Sequence, residues 1–225
     1  MLSVGEVAKE LDLSESWIRK LLESGKLVGS RVGSSWVVDS DSVFEFKQNG
    51  NGMGRRWTSE SCWALLSLAS GDIPAVSNVV LHRCRKRLAE FGLEKLASKL
   101  SPRAERRDVY IHPSLICDIV ADGLFVGSGV SSSGFHNLVV SQEGVAEGYV
   151  KQSDFNKLCS KYSLIENPES WNLRVSVVSS EHKHNLDGRE FMSWPVVAID
   201  LFDALDSRSV EAGRELVNRK QNELA

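Results

Sequence analysis

The sequence predicts an α+β chain in two parts: a small module of short helices with a β-hairpin over residues 1–48, and a mixed α/β domain over residues 58–225. Three observations predict it. Ser3 and Ser14 each precede an apolar set at helical spacing, Val4, Val7, Ala8 and Leu11 after the first, Ile18, Leu21 and Leu22 after the second. Residues 49–57 then form a linker, because three glycines alternate with polar residues and nothing in Asn49-Gly50-Asn51-Gly52-Met53-Gly54-Arg55-Arg56 has reason to be buried. Beyond the linker, helical periodicity and short β-branched runs alternate to the end of the chain.

In the first part only Asp12 and Leu13 separate the two helical patterns, a spacing that suits the tight turn of a helix-turn-helix with Leu13 buried at the corner. Gly25 suits the left-handed position past the second helix. Leu27, Val28, Val32, Trp36, Val37 and Val38 are strand formers around the turn cluster Gly33-Ser34-Ser35, and together they read as a hairpin wing beside the helices. Asp39 or Ser40 then caps a third helix carrying Val43, Phe44 and Phe46.

The order helix, tight turn, helix, Ser24-Gly25-Lys26-Leu27, Arg31-Val32-Gly33, aromatic strand and capped helix resembles the excisionase/MerR-type winged helix-turn-helix, whose members bind DNA. That resemblance implies that the second helix enters the major groove and the wing follows the backbone or minor groove. It implies double-stranded DNA as partner, with Ser14, Ser16, Trp17, Arg19 and Lys20 on or beside the reading face and Lys26, Arg31, Ser34 and Ser35 on the wing side. The chain departs from the family at the wing tip. Serines replace the usual cations, so phosphate neutralisation per module is modest and a homodimer on DNA would offset it. A module of this shape that binds protein rather than DNA is the competing reading.

The formal net charge of −3 is unevenly spread: residues 1–60 carry 8 basic and 9 acidic groups, 61–108 carry 9 and 5, and 109–225 carry 10 and 16. A DNA-binding chain needs one basic face rather than an overall basic composition. The acidic last half suits a partner with a basic cleft, and equally an ordinary solvated surface. Cys62, Cys84, Cys117 and Cys159 lie far apart with no Cys-x-x-Cys pair, which reads as buried thiols in a reducing compartment. Glu6, Lys9 and Glu10 stand where a secretory leader would be apolar, and no stretch approaches a membrane span, so the expected location is the cytoplasm.

After the linker, Thr58 or Ser59 starts a helix with Trp63, Leu65, Leu66 and Leu68 that stops at Gly71-Asp72-Ile73-Pro74. Ser77 precedes a second, whose Val79, Val80, Leu81, Cys84, Leu88 and Phe91 form an apolar face opposite Arg83, Arg85, Lys86 and Arg87, with Gly92 ending it. Four cations within two turns make Arg83, Lys86 and Arg87, with Arg55 and Arg56 of the linker, additional candidates for DNA contact; a solvated helix face is the alternative. A short helix over Leu93–Leu100 follows, then a strand at Val109–Ile111, a helix through Leu115, Ile116, Ile119 and Val120, a strand at 124–126, and a glycine- and serine-rich turn at 127–134. That turn lacks a P-loop lysine. Strands at Leu138–Val140, Gly148–Val150 and Leu173–Val178, a helix capped by Ser153, and helices over 196–205 and 209–223 complete the pattern.

Trp63-Ala64-Leu65-Leu66, the basic helix, Val109-Tyr110-Ile111-His112-Pro113, Pro195-Val196-Val197-Ala198-Ile199-Asp200-Leu201 and Ala212-Gly213-Arg214-Glu215-Leu216, in that order, resemble the AbiE-type antitoxins. The likeness implies a regulator encoded beside a nucleotidyltransferase toxin, which is then a possible partner. An excisionase-like architectural factor or an adaptor docking a recombinase is the alternative. No Gly-x-Ser-x-Gly elbow, His-Glu-x-x-His helix or motif-spaced carboxylate pair supports an enzyme, and neither a metal nor a cofactor is expected. His182 and His184 alternate with no third ligand and read as solvent-exposed. Asp200, Asp203 and Asp206 recur every three residues, which reads as a solvent face, with Asp206 capping or ending a helix.

Overall fold

The computed structural model describes residues 2–11, 13–33, 35–48, 57–140, 143–166, 168–204 and 206–224. The chain divides into two compact units, Met1–Arg56 and Trp57–Ala225.

The first unit is built from β1 (Leu2–Ser3), α1 (Val4–Leu11), α2 (Glu15–Glu23), β2 (Gly29–Val32), β3 (Ser35–Val38) and α3 (Ser40–Gln48). Ser3 closes a capping box with Glu6: the Ser3 amide donates to Glu6 Oε2 at 2.7 Å and the Glu6 amide to Ser3 Oγ at 3.3 Å. The strand β1 is too short to show in the sequence. It pairs antiparallel with β3, Leu2 opposite Val38, giving a three-stranded sheet of order β1-β3-β2. Val4, Val7, Ala8 and Leu11 of α1 meet Ile18, Leu21 and Leu22 of α2, and Leu27, Val38 and Val43 close the core. Leu27 and Val28, expected in the hairpin, precede it. Leu27 is a core residue, while the Val28 amide donates to Ser42 Oγ at 2.7 Å and its carbonyl accepts from the Asp39 amide at 2.9 Å, tying the wing to α3. Of the two expected caps of α3, Asp39 fills the role, its Oδ1 accepting from the Asp41 amide at 3.4 Å. Gly29 is where the wing approaches α2, since a Cβ there would stand 2.7 Å from the Val37 carbonyl oxygen and 2.8 Å from Leu22 Cδ2.

The second unit comprises α4 (Ser59–Ala69), α5 (Asn78–Leu96), β4 (Glu105–Tyr110), α6 (Ile116–Val120), β5 (Val126–Gly127), β6 (Ala146–Lys151), α7 (Gln152–Tyr162), β7 (Ile165–Glu166), β8 (Leu173–Val178), α8 (Trp194–Phe202) and α9 (Ser207–Leu224). Its sheet has the order β5-β6-β8-β4-β7, with β6 and β8 parallel across the α7 connection and the other pairs antiparallel. Alternation splits the sheet between two cores. Val109, Ala146, Val150, Leu173, Val175 and Val177 pack with Ile119 of α6 and Phe155, Leu158 and Tyr162 of α7. Tyr149 and Val178 face the other way, onto a larger core of α4, α8 and α9.

Several expectations are corrected. Trp57, read with the linker, packs on the second unit's larger core. The expected break at Gly92 holds: at φ 70° and ψ 171° it is non-helical, and two helices meet there within the span of α5, the second running to Leu96. The apolar face of α5 is only partly covered: Cys84 is buried, Val80, Leu81 and Leu88 are half-buried, and Val79 and Phe91 are exposed. Residues 138–140 form no strand. Leu138 and Val140 are buried without a strand partner and Val139 is fully out. Ser153 lies inside α7 rather than capping it, because β6 runs directly into the helix through Lys151. Within the expected turn at 127–134, Gly127 belongs to β5 and Gly129–Ser132 form a 3-10 turn, with Ser128 and Ser132 buried and Gly134 exposed. Cys62 and Cys84 are buried as expected, whereas Cys159 is half-buried and Cys117 exposed.

Asp200 and Asp203 do not share a solvent face. They hold the buried Arg103, whose Nη2 donates to Asp200 Oδ1 at 2.5 Å and to Asp203 Oδ2 at 3.0 Å, while Nε donates to Tyr149 OH at 2.7 Å and Nη1 to the Leu100 carbonyl at 3.0 Å. Burial alone would depress the guanidinium, but Tyr149 and the two carboxylates outweigh it and hold Arg103 well above its ordinary value. Asp206 does cap a helix, accepting from the Ser209 amide at 2.8 Å.

Candidate nucleic-acid interface

The reading face starts from the cap of α2. Ser14 Oγ accepts from the Trp17 amide at 3.3 Å and lies 3.0 Å from Ser16 Oγ, which fixes where the helix begins. With Ile18, Leu21 and Leu22 turned into the core, the helical period places Ser16, Arg19, Lys20 and Glu23 on the opposite side, and all four are exposed. Trp17 is on the flank, 42% exposed, an apolar surface large enough to pack against a base edge or a sugar. This groups Ser14, Ser16, Trp17, Arg19 and Lys20 along one exposed side of a single helix.

The two cations on that side are not equivalent. Arg19 Nη2 is 2.8 Å from Glu15 Oε2, an exposed pair one helical turn long. Such pairs stabilise by only about 0.3–0.5 kcal/mol, so a phosphate can displace the carboxylate at little cost. Lys20 makes no ion pair among the described residues. Sequence spacing marked both cations but not the competition from Glu15, although its offset of four from Arg19 is the signal that could have shown it.

On the wing, Arg31 stands opposite Trp36, its guanidinium 5.2 Å from the ring centroid. This cation–π contact leaves Arg31 exposed and holds it against the sheet. Lys26 is exposed just after Gly25, which takes the left-handed conformation at φ 70°. Ser35 opens β3 opposite Val32. Val32 on the wing and Val28 just before it are 64% and 62% exposed, an apolar surface that strand propensity alone did not reveal. Ser34, Arg55 and Arg56 lie outside the described residues.

Residues 1–51 match the family model of the helix-turn-helix domain. The first unit is thus a helix-turn-helix domain of the kind that suggests a DNA-binding regulator, with α2 in the recognition position. No match to the chain was found among curated proteins or solved structures.

In the second unit Arg83, Arg85, Lys86 and Arg87 are all exposed on α5, and the Arg87 guanidinium stacks 4.4 Å from the Trp57 ring centroid. The buried ionic groups are elsewhere, and they satisfy one another. Glu147, Arg174 and Asp108 form a row across β6, β8 and β4, with Arg174 Nη1 donating to Glu147 Oε1 at 3.1 Å and Nε to Asp108 Oδ1 at 2.8 Å. Burial pushes Glu147 above its ordinary value. Asp108 also feels burial, but the hydrogen bonds and charge of Arg174, with help from Arg106, bring it below. Tyr149 OH donates to Asp200 Oδ1 at 2.9 Å, and Ser128 Oγ donates to Asp200 Oδ2. These contacts tie the sheet to α8 and to the 3-10 turn after Leu100.

His184 is exposed but His182 is half-buried, with 6.4 Å between the ring centroids. No group of three or more potential metal ligands occurs among the described residues. No helix of the described residues is long and apolar enough to cross a membrane.

Proposed function

We propose that the chain is a DNA-binding transcriptional regulator, a cytoplasmic binding protein rather than an enzyme, in which α2 reads duplex DNA and the second unit engages a protein partner. The observation that carries this is the capped α2, which turns Ser16, Trp17, Arg19 and Lys20 outward from a core closed by Ile18, Leu21 and Leu22. The finer part of the proposal is an antitoxin and autorepressor of the AbiE type, acting as a homodimer on its own promoter and paired with a nucleotidyltransferase toxin. The order of motifs between residues 58 and 219 and the 16 acidic against 10 basic groups of residues 109–225 support it.

The test is a gel shift on the upstream promoter fragment. Wild type retards it, and Arg19→Ala with Lys20→Ala binds at least tenfold more weakly; equal binding by the two proteins removes α2 from the interface. Co-purification with the product of the adjacent gene tests the antitoxin reading separately. A second reading, an excisionase-like factor or adaptor docking a recombinase, is favoured by the exposed Val32 on a wing without a cationic tip and the exposed Val28 just before it. A neighbouring integrase gene and loss of its recruitment on Val32→Ser would support that reading instead.

A further inference from the structure

We propose that the outward ridge of α5, formed by Arg83, Lys86 and Arg87, is a second contact for duplex DNA, one that grips phosphate without reading sequence. The inference rests on the DNA-binding reading of the first unit and assigns an added role to the second.

Three observations carry it. Charge comes first. Between Asp72 and Glu90 the chain has no acidic residue, yet it holds His82, Arg83, Arg85, Lys86 and Arg87. With about 100° of rotation per residue, Arg83, Lys86 and Arg87 fall within one sector of roughly 100°, away from buried Cys84 and half-buried Leu81 and Leu88. Arg85 lies on the other flank. From Arg83 to Arg87 the ridge rises about 6 Å, a length over which one DNA strand presents about two phosphates.

Pairing is the second. Arg103, Arg106, Arg107, Arg174 and Arg214 of the same unit each meet a carboxylate. Among the described residues Arg83, Lys86 and Arg87 meet none. Arg85, Arg189, Arg208 and Arg219 are likewise without a carboxylate among the described residues, so what sets the ridge apart is that its three unpaired cations are contiguous on one helix face, a local positive field that an anion can enter without first displacing a carboxylate.

The third is preorganisation. The Arg87 guanidinium lies 4.4 Å from the Trp57 ring centroid, and Trp57 is itself packed on the core. Stacking occupies the faces of the guanidinium and leaves its edge donors for phosphate oxygens, with less side-chain entropy to lose on binding.

The ridge also answers a deficit in the first unit. Residues 1–56 carry 8 basic and 8 acidic groups, Arg19 is paired with Glu15, and serines stand at the wing tip. With Arg19 paired and no cation at the wing tip, the module's own face neutralises few phosphates, and three more cations add directly to the counterion release that dominates non-specific affinity.

The experiment measures binding of the full chain to a fluorescently labelled duplex of random sequence across a salt series. Wild type is compared with Arg83→Gln/Lys86→Gln/Arg87→Gln, and with Arg83→Lys/Arg87→Lys as the charge-preserving control. The expected result is a salt slope shallower by about 2–3 in the glutamine variant, since each phosphate that is no longer neutralised removes about 0.9, and an unchanged slope in the lysine variant. Should the triple variant melt early, Arg83→Gln and Lys86→Gln singly, at exposed positions with no carboxylate partner among the described residues, should each lower the slope by about 1. A wild-type slope retained in the glutamine variants overturns the ridge while leaving the helix-turn-helix reading intact, and is the outcome if these cations serve an acidic protein instead. Wild type that binds no duplex overturns both.

Discussion

Replacing Arg103 by methionine should unfold the second unit far more readily than any surface change. The guanidinium is 7% exposed and makes four hydrogen bonds: to Tyr149 OH, the Leu100 carbonyl, Asp200 and Asp203. Methionine fills much of the space but leaves two carboxylates facing each other with no cation between them. Asp200 keeps Tyr149 and Ser128 as donors, whereas Asp203 loses the guanidinium that holds it. Burial already pushes Asp203 up against the pull of Arg103, so with the cation gone it must take up a proton or draw in water. Breaking one side of a buried ion pair costs about 3–5 kcal/mol, against roughly 0–1 kcal/mol for an exposed pair. At about 1.4 kcal/mol per tenfold, the folding constant of this unit falls by roughly two to four orders of magnitude. Urea unfolding followed by tryptophan fluorescence reads it, because Trp63 Nε1 donates to the Arg103 carbonyl at 2.9 Å and reports on the same cluster. Adding Asp200→Asn and Asp203→Asn should recover much of the loss, since the stranded charges go with the cation. A loss below about 1 kcal/mol in Arg103→Met would refute the reasoning, because the cluster would then behave as though it were open to water.

Other outcomes follow from the same structure. Ser14→Ala removes the acceptor of the Trp17 amide and should cost the first unit about 1 kcal/mol in a thermal melt, with Ser14→Asp retaining the cap. Gly148→Ala places a Cβ 2.3 Å from Phe125 Cζ and 2.6 Å from the Val126 carbonyl oxygen, so it should destabilise the second unit by at least about 1–3 kcal/mol in urea titration. Glu147 has a pH signature. Burial raises its folded value above the ordinary 4.5, so the folded state holds its proton more tightly than the unfolded one, and the contribution to stability present below 4.5 is lost as pH rises through the folded value. Glu147→Gln should flatten that part of the stability–pH curve, and an unchanged curve would assign the dependence to Asp203, which is raised in the same sense.

The first unit was largely legible in the sequence because its determinants are local. Two serines cap two helices, one glycine turns the chain after them, and a three-residue cluster marks the wing. What escaped was β1, two residues whose strand character comes only from pairing with Val37 and Val38 some thirty-five positions away. The start of β4 escaped for a different reason. Glu105-Arg106-Arg107-Asp108 has no apolar alternation, because Arg107 covers Phe155 at 4.6 Å on one face while Asp108 meets Arg174 on the other. The buried cluster was invisible in principle: Arg103 and Asp200 are separated by 97 positions, and an aspartate at helical spacing looks the same whether water or arginine lies opposite. At the interface, the spacing of Ser16, Trp17, Arg19 and Lys20 was readable from α2 alone. The pairing of Arg19 with Glu15 was signalled by their offset of four, whereas that of Arg31 with Trp36 needed side-chain geometry.

The most direct test of the central claim is site-specific cross-linking from α2. A photoreactive side chain placed at Ser16, on the exposed side of the helix, should label bases of a bound promoter duplex, whereas the same group at exposed Asn156 of α7 should label none. Equal labelling from both positions, or labelling from Asn156 alone, would contradict the assignment of α2 as the element that reads DNA.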